Sequence, residues 1–139
     1  MRKIIFFILI ASLANLMADS NRERALFYYY KGCALLNSEG NLLEALHCLN
    51  HAISLCPNES TAWEVRGAIC LLLQNFSQTI KDCSQAIKLN PNNAQAYLGR
   101  ALGYFKLRNM NAAKADIVIA ARLGLPDAQS IARAWQWSY

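Results

Sequence analysis

Charge is scarce in this chain. Only 17% of its 139 residues are charged, while 55% are hydrophobic. That balance excludes a long disordered tail and leaves enough apolar side chains to bury the core of one domain. The formal charge is +5, from 14 Lys and Arg against 9 Asp and Glu. Without Arg2 and Lys3 the count is 12 against 9, or +3. The cations are scattered, so nucleic acid is not implied as a partner. The sequence has no Gly-x-Ser-x-Gly elbow and no Gly-rich phosphate loop. Its carboxylates are dispersed as Glu39, Glu44, Glu59, Glu64, Asp82 and Asp116. Asp82 and Asp116 hold equivalent positions in successive stretches of the chain and are expected as surface features. No catalytic residue and no cofactor is assigned, and the chain is not expected to be an enzyme.

Histidine is rarer still, with two residues. His47 and His51 stand one helical turn apart and flank Cys48. The metalloprotease helix needs Glu directly after its first His, where this chain has Cys48. A structural zinc site needs four ligands. Two solvated histidines on an outer helix face are the favoured reading. Metal or redox handling through His47, Cys48 and His51 is the alternative.

No apolar run reaches the roughly 20 residues of a spanning helix. The longest follows Arg2 and Lys3, covers 4–13 and is interrupted at Asn15. A basic start, a short apolar stretch and small residues at Ala14 and Ala18 have the layout of a secretory signal over residues 1–18. Cleavage after Ala14 or Ala18 is expected, with an uncleaved anchor the lesser alternative. No cysteine follows the run closely, so a lipoprotein anchor is not indicated. The expected location is outside the cytoplasm, periplasmic or secreted, with membrane contact only in transit. The chain has five cysteines. Cys33, Cys70 and Cys83 are expected in the interior as small hydrophobes. Cys48 is expected on an outer face and Cys56 beside a turn. On one helix these two would be about 12 Å apart, too far for a disulfide.

What the chain does have is a period. The stretch 63–91 contains Trp63, Gly67, Phe76, Ala86 and Pro91, and its pattern recurs in both directions with a period of about 34 residues. The first unit supplies Tyr29, Cys33, Leu36, Ala45, Leu49, Ala52 and Pro57. The third supplies Tyr97, Ala101, Tyr104, Ala113, Ile117 and Ala120, and ends at Gly124 and Pro126 instead of a period-matched proline. Thr79 replaces an alanine in the middle unit. Such periodicity signals a stacked array of supersecondary units. Over residues 24–125 the chain resembles the tetratricopeptide repeat family. The resemblance implies an all-α fold of three helix-turn-helix repeats in a right-handed superhelix. The units would be 26–59, 60–93 and 94–125, after a lead-in at 19–25.

Helices are expected over 24–37, 42–55, 61–73, 77–89, 94–107 and 111–123, with Gly40 free to adopt the left-handed cap conformation. A last helix is expected from Pro126, with Ala128, Ile131, Ala132 and Trp135 on one face. An array must cover its terminal apolar face, so 126–139 is assigned as the cap. Trp137 and Tyr139 are expected beyond its regular end, exposed. Self-association through Trp135, Trp137 and Tyr139 is a further expectation. Asn58-Glu59-Ser60 and Asn75-Phe76-Ser77 fit the glycosylation acceptor pattern.

In the resembled family, the first helix of each pair lines a concave groove. Carried over, the groove would be formed by Phe27, Tyr30, Lys31, Ala34 and Asn37 in the first unit. The second unit would add Glu64, Val65, Ala68 and Leu72. The third would add Gln95, Leu98, Gly99, Leu102, Phe105 and Lys106. Some family members clamp a peptide carboxylate with Lys and Asn at these positions. Here only Lys31 is suited, and Val65 and Gly99 stand where polar clamp groups would be, so that specificity is rejected. The expected function is protein–protein interaction, as an adaptor, co-chaperone or assembly scaffold. The ligand would be a hydrophobic or amphipathic segment of another protein. A secreted effector or host-facing factor using the same groove is the alternative.

Overall fold

The computed structural model describes the backbone of residues 2–37 and 41–139, and the side chains of 12–36 and 41–139. It is all-α over those residues, with α1 (Arg2–Asn37), α2 (Leu42–Leu55), α3 (Ser60–Leu72), α4 (Phe76–Leu89), α5 (Ala94–Lys106), α6 (Met110–Arg122) and α7 (Pro126–Ala134). The helices pack as successive hairpins: α1 on α2, α3 on α4, α5 on α6, with α7 against α6. The first helices of the pairs also touch, α1 to α3 and α3 to α5, so they form one face of the array. Residues 19–25, expected as a lead-in, are instead part of α1. The side chains from Ser12 to Arg24 are exposed, and burial begins at Ala25. Among the described residues no helix is long and apolar enough to cross a membrane. The turn at Gly40 lies outside the described residues.

The period acts through small residues at close approaches. Ala45, Ala86, Ala96, Ala101 and Ala120 are fully buried. A Cβ on Gly67 or on Gly99 would stand 2.9 Å from the Cys83 sulfur, so α3 and α5 press on α4 from both sides. Three apolar clusters follow. One joins Leu49, Ile53, Ala62 and Ile69 beneath Tyr29 and Trp63. A second joins Cys83, Ala86 and Ala96. The third joins Leu98, Ile117, Ala121, Ala128 and Ala132 and closes the array at α7.

The turns repeat as well. Gln74 and Arg108, one period apart, have φ 60° and 64°. Each precedes an asparagine whose N–H donates back toward the helix just ended, Asn75 to the Cys70 carbonyl at 2.8 Å and Asn109 to the Tyr104 carbonyl at 2.9 Å. This is the Schellman closure of a helix C-terminus. The same asparagines then cap the next helix, accepting from Gln78 N at 3.2 Å and Ala112 N at 3.2 Å. Gly124 and Gln136 make the same kind of turn, at φ 90° and 54°, after α6 and α7.

Asp82 and Asp116 correct the expectation of surface carboxylates. They are 1% and 4% exposed. Arg66 grips Asp82 with two bonds of 2.8 and 2.7 Å, and Gln78 adds a third of 2.9 Å. Arg100 grips Asp116 with two bonds of 2.7 and 2.8 Å. Each guanidinium also reaches the preceding unit, Arg66 to Asn50 at 2.9 Å and Arg100 to Ser84 at 3.2 Å. Each lies over the first aromatic of its own unit, Trp63 at 4.7 Å and Tyr97 at 5.6 Å from the ring centroid. The arginines, the aspartates and the outer acceptors are each separated by one repeat period. The hydrogen bonds to the aspartates hold both guanidinium pKa values above their ordinary range. In the first unit the equivalent positions are Gly32 and Cys48. Cys48 is therefore buried, at 2% exposure, and not on an outer face.

Candidate functional site

The residues expected to form a groove fall on α1, α3 and α5, the helices that adjoin along one face. Several large apolar side chains there have no cover: Phe27 is 63% exposed, Tyr30 65%, Leu72 57% and Phe105 45%. Ala34 is exposed beside them, and Val65, Ala68, Gly99 and Leu102 are half-buried. Leu98 is 9% exposed and belongs to the core beneath α7, so it offers little surface. The Asn37 side chain lies outside the described residues.

The polar members of the face are largely engaged with the protein itself. Lys31 pairs with Glu44 at 3.4 Å, with both side chains 45% exposed. An ion pair that open is worth little. Glu64 accepts a bond of 3.1 Å from Asn93, which also donates to Ser60 at 2.9 Å. Burial raises the Glu64 pKa, and the Asn93 bond offsets part of that rise. Gln95 and Lys106 are exposed at the edge. The face is thus an apolar floor with few free charges, and a cation pair to receive a carboxylate is not among its described residues.

The other candidate sites rearrange. His47 and His51 are exposed, with ring centroids 4.7 Å apart, and Tyr28 stacks on His51 at 4.9 Å. Cys48 turns into the core between them. No group of three His, Cys, Asp or Glu among the described residues is placed to hold a metal ion. All five cysteines are free thiols. Burial pushes the Cys70 thiol up to about 11 and the Cys83 thiol up to about 12, with Asp82 adding to both. The C-terminal aromatics exchange roles relative to expectation. Helix α7 ends at Ala134, and the left-handed Gln136 returns the chain so that Trp137 N–H bonds the Ala132 carbonyl at 2.8 Å. Trp137 is therefore half-buried against the last core cluster, and Trp135 stands 56% exposed. Tyr139 is 41% exposed, and its hydroxyl accepts a 3.2 Å bond from Arg133.

Comparison with known proteins agrees with this geometry. No family model matches the chain. The human mitochondrial import receptor subunit TOM70 is 34% identical over 98 residues, which is 66% of this chain and 16% of the receptor's length. The tetratricopeptide domain of Arabidopsis OM64 superposes with a TM-score of 0.77 at 27% identity, covering 81% of this chain and 93% of that domain. The first such domain of Spaghetti (RPAP3), solved bound to the HSP90 peptide SRMEEVD, superposes at 0.76 with 24% identity and covers 81% and 93% of the two chains.

Proposed function

We propose that this tetratricopeptide-repeat chain is a non-enzymatic interaction module, an adaptor, co-chaperone or assembly scaffold, that holds a segment of another protein along α1, α3 and α5. The observation that carries this reading is the exposure of Phe27, Tyr30, Leu72 and Phe105 on the first helices of the three pairs. Large apolar side chains left exposed on one face of an array of packed helices mark a partner surface. An amphipathic helix or an extended apolar segment matches it, because the flanking face offers Ala34, Val65, Ala68 and Gly99 as shallow, small-residue ground. Affinity near micromolar, about −8 kcal/mol, is expected for such a strip.

The ligand chemistry differs from that of the Spaghetti domain, whose peptide ends in three acidic residues out of four. On this chain Lys31 is paired with Glu44, Val65 and Gly99 carry no charge, and Glu64 adds a carboxylate to the face. An acidic tail would find repulsion at Glu64 and no paired cation to replace its hydration. The capture experiment uses the chain from residue 19 onward as bait, beside a Phe27→Ser, Tyr30→Ser, Leu72→Ser variant with an unchanged melting temperature. A partner retained by the parent and lost from the variant supports the reading. Equal retention by both refutes it.

We also propose that residues 1–18 direct export to a periplasmic or extracellular compartment. The support is the order of Arg2 and Lys3, the apolar residues 4–13, and Ala14 and Ala18. Intact mass of the protein recovered from its native cells tests this. A chain that begins directly after Ala14 or Ala18 supports it, and a full-length chain in the cytosolic fraction contradicts it.

A further inference from the structure

The last repeat interface is incomplete at one end. Between the second and third hairpins, α5 covers α4 along its length: a Cβ at Gly103 would stand 2.9 Å from Ile80 and 3.4 Å from the Phe76 carbonyl. One unit on, the covering helix is α7, which has 9 residues where α5 has 13. It stops at Ala134, short of the start of α6 where Met110 and Ala113 lie. A cavity of about 180 Å³ remains, lined by apolar or aromatic side chains that include Leu102, Phe105, Met110, Ile131, Trp135 and Trp137. Phe105, Met110 and Trp135 are 45%, 41% and 56% exposed, so the cavity has an open rim.

The segment that forms the cavity is basic. Residues 94–139 carry Arg100, Lys106, Arg108, Lys114, Arg122 and Arg133 against Asp116 and Asp127, which is 6 minus 2, or +4. Arg100 is consumed by Asp116. Arg122 and Asp127 lie at the opposite end, where α6 finishes and α7 begins. The cavity end therefore retains Lys106, Arg108, Lys114 and Arg133, all exposed. Lys114 sits 5.3 Å from the centroid of the Trp137 ring that lines the cavity. Among the described residues none of these four cations is in an ion pair, and within 94–139 no side-chain carboxylate accompanies them at this end.

We infer that this cavity is a docking pocket for a short acidic peptide segment that inserts one apolar side chain. An apolar cavity of about 150 Å³ accommodates benzene, so this one receives a single aromatic or leucine-sized group. A long acyl chain is several times larger and does not fit. Flanking carboxylates on the peptide would face the four cations, which supplies orientation and attraction that weaken with salt. The pocket shares Phe105 of α5 with the strip but none of Phe27, Tyr30 or Leu72, and it requires a different ligand chemistry.

The test uses the protein itself and a defined probe, a capped heptapeptide with one central phenylalanine flanked by Glu and Asp. Its binding is followed through the three indole N–H resonances. Trp63 is an internal reference because its indole donates to the Pro57 carbonyl at 2.7 Å, far from this end. Saturable shifts of Trp135 and Trp137 with Trp63 unmoved are the expected result. Lys106→Glu with Lys114→Glu should weaken binding at least tenfold, as should replacing the probe's phenylalanine by serine. Both substitutions are at exposed positions, and unchanged amide spectra confirm the fold. Phe27→Ser with Tyr30→Ser should leave the probe affinity unchanged, which separates this pocket from the α1 part of the strip. Binding that ignores the phenylalanine, shifts that include Trp63, or response only to phosphatidylglycerol vesicles would each overturn the inference.

Discussion

Removing the arginine from the pair Arg100–Asp116 strands a carboxylate whose side chain is 5% exposed and accepts two guanidinium bonds of 2.7 and 2.8 Å. Breaking one side of a buried pair costs about 3–5 kcal/mol, because the remaining charge stays desolvated without compensation. The Arg100 side chain is 21% exposed, so water can reach part of the site and Arg100→Met should fall near the lower end, about 3 kcal/mol. The double variant Arg100→Met, Asp116→Leu should cost about 1 kcal/mol or less, since an apolar pair of similar volume removes the desolvation burden. The first repeat already builds this position without charge, from Gly32 and Cys48. Urea titration is the assay, with the midpoint read at unchanged slope. Single variants that each lose under about 1 kcal/mol, with a double equal to their sum, would show the pair to be solvated and uncoupled.

Ala86 is fully buried and its carbonyl accepts the Ser60 hydroxyl at 2.9 Å; Ala86→Leu should destabilise by about 1–3 kcal/mol through overpacking, and an unchanged melt would place the helix contacts elsewhere. Arg108 has φ 64°, so Arg108→Gly should stabilise by about 0.5–1 kcal/mol, because relief of the left-handed backbone exceeds the entropy cost of glycine, and a loss would show the arginine side chain to matter more. For the thiols the sign follows from their raised values, with Cys83 moving from 9.0 to about 12 and Cys70 from 9.0 to about 11. The folded state holds these protons longer than the unfolded chain does, so their contribution is complete below pH 9 and is lost as pH rises toward 11–12. Denaturation midpoints measured between pH 8 and 11 should fall, and should fall less in a Cys83→Ala variant; a rise would contradict the burial of these thiols. Native alkylation should label Cys33 and Cys56, the half-buried pair, before Cys48, Cys70 and Cys83, and early modification of Cys83 would count against the packing of α3 and α5 around it.

The repeat is legible in the sequence because its signals are steric. Tyr29, Trp63 and Tyr97, with Ala52, Ala86 and Ala120, recur at sites where only one size fits, and period alone reveals them. The Arg–Asp ladder is equally periodic, with Arg66 and Arg100 matching Asp82 and Asp116. Taken one at a time, however, such charges look solvated. The available signal is that the Arg-to-Asp spacing is the same in both units and recurs one period on. It would also have placed Cys48 in the core. The length of α7 is not legible. Its apolar spacing continues to Trp135, yet a left-handed Gln136 ends the helix at Ala134 and turns Trp137 inward. That ending depends on how Trp137 packs against the last core cluster, which no local pattern encodes. The apolar strip is legible only through the family resemblance, because exposure of Phe27, Tyr30 and Leu72 depends on what neighbouring helices leave uncovered.

Photo-crosslinking in the native compartment tests the central proposal most directly. A photoreactive residue is placed singly at Tyr30 or Leu72 on the adjoining first helices, or at Leu43 on α2, which is 72% exposed but lies outside that face. Crosslinks to one protein from the first two positions and none from the third are the expected result. Equal crosslinking from all three, or adducts from Leu43 alone, would place the partner elsewhere and remove the α1–α3–α5 strip from the function.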